Sequence, residues 1–181
     1  RLQEKAELKR ALGSSDKVDA DTRFGIASNT KAFTALALGM LVEEGKLEWD
    51  APVVNYLPQF MMWDSWVTRQ ITVRDILVHN SGLGLGAGDL LWWPPSTYTP
   101  QEIMQRLRYI EPATSFRSAY AYDNVLYLVA GQLIQAVSGQ SWSDFVTNRI
   151  IRPVGMKEAT TTHPADGDAE GDACDPDDDN D

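Results

Sequence analysis

Ser28 and Lys31 are the residues whose types and spacing most directly suggest chemistry. They are three positions apart at the start of a long apolar helix pattern, so their side chains share one helix face. A serine hydroxyl becomes a nucleophile when a neighbouring base accepts its proton, and the Lys31 amine is within reach to do so. A helix start also offers backbone N–H groups and a positive dipole end to an anion. The structural alternative is that Ser28 caps the helix and Lys31 is solvated.

Tyr122 and Asn124 form a second candidate pair, where the loop 112–123 enters another apolar helix pattern. A phenol near a lysine ammonium has a lowered pKa and can carry a proton. The Asn124 amide offers both a donor and an acceptor, which suits a substrate amide and the fixing of Lys31. The alternative is that Asp123 or Asn124 caps the helix and Tyr122 packs.

The elements that must position these residues are predicted to be helices with recognisable ends. The predicted helices cover residues 29–44, 73–79, 100–108, 124–137 and a last stretch from the Ser141 cap to Ile151. Capping boxes at Thr72–Asp75 and Thr99–Glu102 open the second and third of them. Gly45 and Gly139 are expected to end two others, and the intervening stretches 52–70 and 80–98 are predicted to be long loops. No segment reads as a clear strand.

Several segments in order along the chain carry a resemblance to a known family. Ser28-x-x-Lys31 and Tyr122-x-Asn124 resemble the motifs of the penicillin-recognising serine hydrolases, a group that includes class C β-lactamases, DD-peptidases and related esterases. Residues 22–28, 76–83 and 151–156 are similar to three further segments of that family. Tyr122 stands where class A enzymes have the first Ser of Ser-Asp-Asn, which favours the class C side.

The resemblance implies an α/β fold of the β-lactamase/transpeptidase-like type, of which this chain keeps mostly the helical part. The chain itself is expected to be predominantly α, with long loops and little sheet. The implied chemistry is hydrolysis of an amide, lactam or ester through an acyl-serine, with Ser28 as nucleophile, Lys31 as base and Tyr122 as proton carrier. Asn124 is implied to bind substrate, and catalysis is expected to need no cofactor.

Three further residues in the loops require separate interpretation. His79 precedes a Ser-Gly pair and could be mistaken for a catalytic base, but the resemblance implies that it supports the loop. Trp92 and Trp93 are candidates for lining the substrate cleft, and a hydrophobic lid packed on the core is the alternative.

The C-terminal residues differ in composition from the rest of the chain. The net charge of -10 is concentrated there: residues 166–181 hold eight Asp and one Glu, whereas the remainder has 17 acidic and 16 basic residues. Residues 166–175 resemble a thrombospondin type 3 repeat, and alternating carboxylates suit Ca²⁺. The candidate ligands are Asp166, Asp168, Asp172 and Asp175. The alternative is a disordered acidic tail.

The sequence therefore predicts two parts, a partial hydrolase domain at 1–163 and the acidic segment 164–181. The third family motif, a Lys-Thr-Gly-like or His-x-Gly-like triplet, has no counterpart in this sequence, so a non-catalytic fragment with calcium binding by the tail remains the alternative. A module that binds peptidoglycan-like peptides without turnover is a third option.

Composition narrows the expected partners and location. The apolar content of 43% and charged content of 23% are ordinary for a globular chain. With no basic patch and no long apolar run, neither nucleic acid nor a membrane span is expected. The expected partner is a small molecule or a peptidoglycan-like peptide, and the resemblance implies a periplasmic or extracellular location.

The start at Arg1 suggests a processed or clipped N-terminus, and Cys174, being alone, can form no internal disulfide.

Overall fold

Two long helices, α1 (Thr30–Glu43) and α4 (Val125–Ser138), pack against each other at the centre of the structure. The structure is a computed structural model and describes residues 9, 15–19 and 22–162. Three shorter helices complete the set: α2 (Ser65–Gln70), α3 (Pro100–Arg106) and α5 (Trp142–Val146), the last continued by a π-helical turn at Thr147–Ile151. In these ranges the only β pairings are isolated bridges, so the described part is helical, as the sequence predicts.

The helix ends follow the local signals. Thr99 and Glu102 form the predicted capping box of α3, with Pro100 in the first turn. The Ser141 side chain accepts the Asp144 N–H at the start of α5. Gly139 ends α4 with a φ of 72°, a left-handed conformation that favours glycine. The helix boundaries that hold the core are therefore encoded locally.

The core is formed where α1, α4 and α5 meet, with loop residues filling its edges. Leu38 and Leu41 of α1, Leu133 of α4 and Phe145 of α5 are fully or almost fully buried. The Trp142 indole N–H donates to Thr34 Oγ1 at 2.9 Å, which ties α5 to α1 with a satisfied polar contact. Burial of this apolar surface fixes α1 relative to α4, and these two helices carry or follow the candidate site residues.

The prediction of a helix at 73–79 was wrong, because that segment is a series of turns. The reciprocal bonds of the predicted capping box are present between Thr72 and Asp75. However, the N–H groups of residues 73 and 74 donate to carbonyls of residues 51 and 49, and His79 has a φ of 60°. A segment this short has little helical stability of its own, so these contacts override its helical pattern.

Other boundaries also differ from prediction. The stretch 52–70, expected to be a loop, contains α2, whose N-cap Asp64 accepts from two backbone N–H groups. Helix α3 changes to a 3₁₀ turn at Leu107–Tyr109, and the last predicted helix loses α geometry after Val146. An Asp cap that directly follows Met61, Met62 and Trp63 is a weak helix signal, because three large apolar residues before it do not indicate a helix start.

A loop at 112–121 is held against residues 79–82 and delivers Tyr122 to the site. Backbone bonds join Arg117 N–H to Asn80 O and Ala113 N–H to Gly82 O, at 2.8 and 2.9 Å. The Arg117 guanidinium binds both carboxylate oxygens of Asp75, at 2.9 and 2.6 Å. Gly82 has a φ of 95°, and a Cβ placed there would lie 2.7 Å from Thr114 O. The loop approaches this closely only because residue 82 is glycine.

Candidate active site

Ser28 lies on a 3₁₀ turn, Ala27–Asn29, directly before α1, and its side chain is exposed. Lys31 is in the first turn of α1, and its Nζ donates to Ser28 Oγ at 3.3 Å. The N-cap of α1 is Asn29, and no side-chain bond caps this helix. The Ser28 hydroxyl therefore does not act as the cap that was its structural alternative. Ala27 has a φ of 43°, a strained conformation for a residue with a Cβ, of the kind that collects at functional sites.

Tyr122, which lies just before α4, contacts Ser28. Its hydroxyl lies 2.6 Å from Ser28 Oγ, although the two residues are 94 positions apart. Lys31 Nζ is 4.7 Å from the centroid of the Tyr122 ring and 5.1 Å from that of Tyr127. The ammonium is thus surrounded by the serine hydroxyl and two aromatic faces, a favourable cation–π arrangement.

Asn124 links Lys31 to a carboxylate. Its Oδ1 accepts from Lys31 Nζ at 2.6 Å, and its Nδ2 donates to Asp89 Oδ2 at 3.0 Å. Of the two residues predicted as possible caps of α4, Asp123 makes the side-chain bond, since its Oδ1 accepts the Leu126 N–H at 3.3 Å, whereas Asn124 makes no side-chain cap bond. Adjacent residues therefore divide the two roles: Asp123 serves the helix, and Tyr122 and Asn124 face Ser28 and Lys31.

The electrostatics of the site act on Tyr122. Hydrogen bonding with Lys31, and then with Ser28, lowers the pKa of the Tyr122 phenol below its usual value. Burial and the Asp89 charge oppose this effect, but the lowering dominates. A phenol with a lowered pKa gives up its proton more readily near neutral pH, so the phenolate can accept one from Ser28.

His79 supports the tyrosine that faces Ser28. Its ring stacks on Tyr122 with centroids 4.6 Å apart, and its Nδ1 accepts the Asp123 N–H at 3.2 Å. Burial, with a contribution from Lys31, lowers the pKa of His79 and favours the neutral imidazole that this bond requires. These contacts agree with the supporting role expected from the sequence.

Comparison with known proteins identifies the family. The profile of the Beta-lactamase family matches residues 4–181, nearly the whole chain. The chain belongs to the Beta-lactamase family. Its solved neighbours have a β-lactamase/transpeptidase-like fold, of which the helical structure described above is consistent with a fragment. The comparisons show neither the class C assignment nor the thrombospondin-like segment, so both stay predictions.

The chain is similar to hydrolases and penicillin-binding proteins. It is 34% identical over 148 residues to the unguisins hydrolase ungD' of Aspergillus campestris, covering 77% of this chain and 27% of that protein. It is 28% identical over 155 residues to penicillin-binding protein 4 of Amycolatopsis lactamdurans, covering 82% and 39%. The chain thus spans less than half the length of these curated relatives.

Two solved structures show the same relation in three dimensions. The octameric penicillin-binding protein homologue from Pyrococcus abyssi aligns with a TM-score of 0.70 at 30% identity, over 82% of this chain and 35% of that one. The D-amino acid amidase from Ochrobactrum anthropi SV3, complexed with D-phenylalanine, aligns with a TM-score of 0.63 at 30% identity, over 77% and 45%.

Trp92 and Trp93, two of the six tryptophans of this β-lactamase-family chain, lie after the 3₁₀ turn Asp89–Leu91. Trp92 is partly buried against the core, and its indole N–H is buried with no partner among the described residues. Trp93 is 39% exposed, and its ring centroid is 6.3 Å from that of Trp92. The contacts of these rings are compatible with either a lid or a cleft wall, so their role in substrate binding stays a prediction.

The predicted calcium ligands Asp166, Asp168, Asp172 and Asp175 lie outside the described residues. Within the described ranges, no group of three or more His, Cys, Asp or Glu side chains is arranged to hold a metal ion. In the same part of the chain, none of the helices is both long enough and apolar enough to cross a bilayer.

Two residues that contact the candidate site, Asp89 and Tyr127, were not predicted from the sequence. Asp89 contacts Asn124, and Tyr127 faces Lys31 while its hydroxyl donates to Leu77 O at 3.0 Å. Asp89 is the single acid in the glycine-rich loop 82–91, a signal that could have drawn attention to it. Tyr127 is one turn beyond Asn124 on α4, so its position beside Lys31 follows from helical spacing once Asn124 is placed.

Proposed function

We propose that this chain carries the nucleophilic half of a serine hydrolase that acts on an amide, lactam or ester through an acyl-serine intermediate. The observation that carries the proposal is the convergence on Ser28 Oγ of the Tyr122 hydroxyl at 2.6 Å and the Lys31 ammonium at 3.3 Å. A nucleophile in hydrogen-bond reach of two proton-transfer groups, one of them oriented by a third residue, is the arrangement that covalent catalysis requires.

The proposed reaction begins when the Tyr122 phenolate or the Lys31 amine accepts the Ser28 proton. Ser28 Oγ then bonds to the substrate carbonyl carbon, and the positive end of the α1 dipole stabilises the oxyanion. The bond from that carbon to the leaving nitrogen or oxygen breaks as the leaving group takes the proton back. Water then attacks the acyl-serine, which releases the acid and restores the Ser28 hydroxyl. This sequence uses no metal or organic cofactor.

The names of the relatives support hydrolysis as the reaction. They include a hydrolase, an amidase and a penicillin-binding protein. The similarity to a penicillin-binding protein supports the proposal that the substrate is a peptidoglycan-like peptide or a related small molecule. Family membership likewise supports a periplasmic or extracellular location. These are proposals for this chain, which spans only part of each relative.

Labelling with a fluorophosphonate tests the proposal. Intact mass and peptide mapping should find one adduct on the folded full chain, at Ser28, and Ser28→Ala should abolish it. Ser65→Ala is the matched control, because Ser65 is also exposed at a helix start, and this variant should label like the unmodified chain. Failure of a folded sample to label, or an adduct that persists in Ser28→Ala, would contradict the proposal.

A further inference from the structure

Asp89 is the last described member of a chain of polar contacts that begins at Ser28. Lys31 Nζ donates to Ser28 Oγ and to Asn124 Oδ1, and Asn124 Nδ2 donates to Asp89 Oδ2. The Asn124 amide therefore lies between a cation and an anion, with its oxygen toward the ammonium and its nitrogen toward the carboxylate. The amide is neutral, so its orientation is set by its two charged neighbours: the ammonium attracts the amide oxygen and the carboxylate attracts the NH₂ group.

The environment of Asp89 is unusual for a carboxylate. Its Oδ1 is buried without a hydrogen-bond partner among the described residues. None of the ion pairs within the described ranges involves Asp89. A buried carboxylate oxygen without a partner reduces stability, and such a group calls for an explanation. Asp89 is connected to the positive charge of Lys31 through the Asn124 amide, which binds both side chains.

The local turn does not need the Asp89 side chain. The 3₁₀ turn at Asp89–Leu91 is held by backbone bonds, from Asp89 N–H to Gly86 O and from the N–H groups of Trp92 and Trp93 to Asp89 O. The side-chain hydrogen bond of Asp89 is instead directed to Asn124. The carboxylate thus acts on the site and not on its own loop.

We propose that Asp89 is a positioning residue that fixes the orientation of the Asn124 amide and thereby holds the Lys31 ammonium against Ser28. This inference rests on the proposed function of Ser28. If the carboxylate were absent, the amide could rotate by half a turn and present its NH₂ group to Lys31. Two donors then face each other, and Lys31 loses the 2.6 Å bond that keeps it beside Ser28 Oγ.

A double-mutant cycle tests whether Asp89 acts through Asn124. Asp89→Leu, similar in size and unable to accept a hydrogen bond, should slow fluorophosphonate labelling of Ser28 by roughly 10- to 100-fold, because a small misplacement of a catalytic group has effects of that size. Asp89→Asn keeps an acceptor oxygen and should restore much of the rate. On an Asn124→Ala background, Asp89→Leu should have no further effect. Additive losses, or a wild-type rate in Asp89→Leu, would overturn the proposal.

Leu90→Ala provides the control for this cycle. Leu90 is in the same 3₁₀ turn and 85% exposed, so its truncation should leave the labelling rate unchanged. Urea unfolding of each variant establishes that the labelling rates are compared among folded chains.

A measurement independent of activity separates this inference from the proposed function. In ¹⁵N-edited NMR spectra, a side-chain amide proton of Asn124 should exchange more slowly with water than those of the exposed Asn55, and Asp89→Asn should shift its resonance. If the wild type does not label but this protection is present, the proposed function fails and the positioning contact stands. If the Asn124 protons exchange as fast as those of Asn55, the positioning proposal fails whatever the activity.

Discussion

The phenol of Tyr122 contacts both the hydroxyl of Ser28 and the charge of Lys31. The same lysine that approaches Ser28 lowers the pKa of Tyr122, so the two candidate bases are coupled. When the phenol is protonated its hydroxyl donates a hydrogen bond to Ser28, and when it is ionised it can accept the serine proton. The protonation state of the Tyr122 phenol therefore decides whether that residue can serve as the base for Ser28.

Tyr122→Phe tests which group accepts the serine proton. Because the phenol pKa is lowered, labelling of the wild type should rise with pH through a midpoint below the usual pKa of tyrosine, as the phenolate forms. In Tyr122→Phe that rise should disappear, and the rate at the plateau should fall by about 10²- to 10⁴-fold, as expected for the loss of a proton-transfer group. The measurement is the labelling rate as a function of pH.

The neighbouring Tyr120 offers the matched control. Its side chain is 70% exposed and precedes Tyr122 in the same loop, so Tyr120→Phe should keep the wild-type pH profile. A Tyr122→Phe variant that keeps the same rise at a lower rate would assign the base to Lys31 instead.

At the scale of elements, the position of Tyr122 depends on how closely the loop 112–121 approaches residues 79–82. Gly82 is one of the points of contact, and its carbonyl accepts from the N–H groups of Ala113 and Thr114. The Arg117–Asp75 pair holds the middle of the loop, and its hydrogen bonds are among the causes that lower the pKa of Asp75. The site thus requires two loops to be held together, in addition to the packing of α1 on α4.

Gly82→Ala should therefore destabilise the chain more than a glycine substitution in open space. A Cβ at residue 82 would meet Thr114 O at 2.7 Å in addition to the strain of a positive φ. The expected loss of unfolding free energy is about 2–4 kcal/mol, from backbone strain and overpacking combined. Gly45→Ala, with a φ of 67° and no atom near the added Cβ, should lose only about 1 kcal/mol. Urea denaturation measures both, and equal losses would show that loop contact at Gly82 adds nothing.

The elements also show which features the sequence could predict. Ser28 and Lys31 could be recognised because they are neighbours at one helix start. The Thr99–Glu102 capping box and Gly139 could be predicted because each sets a helix end through residues close to it in sequence. The segment 73–79 was predicted incorrectly because its backbone is bound by residues 49 and 51, which no local pattern reveals. Asp89 was missed for a similar reason, since its partner Asn124 lies 35 residues away.

At the scale of the whole molecule, the buried carboxyl of Asp123 makes the fold sensitive to pH. Burial raises the pKa of Asp123 to about 6. Its hydrogen bonds with the Leu126 N–H and Ser81 lower the pKa, but only partly offset the effect of burial. A carboxyl whose pKa is higher in the folded chain than in the unfolded chain binds more protons when folded. Its contribution to the free energy of unfolding is therefore greatest at acidic pH and is lost as the pH rises from about 4 to about 6.

Asp123→Asn should remove this contribution to the pH dependence. The variant cannot ionise at this position, so its stability relative to the wild type should increase between pH 4 and pH 7 by on the order of 3 kcal/mol. Carboxyls whose pKa is lowered, such as Asp75 and Glu44, act in the opposite sense in both proteins and cancel in the difference. Urea unfolding at several pH values measures this difference, and Glu48→Gln controls for the loss of one exposed charge. A constant difference across this range would contradict the assignment.

The hydrogen bonds of the candidate site also have a consequence for the order of folding. They join residues 94 and 93 positions apart, Ser28 to Tyr122 and Lys31 to Asn124. Helices form within about a microsecond of the start of refolding, whereas contacts this distant in sequence need the intervening chain to close and α1 to dock on α4. The reactivity of Ser28 would consequently appear after helix content during refolding and would report the completion of tertiary structure.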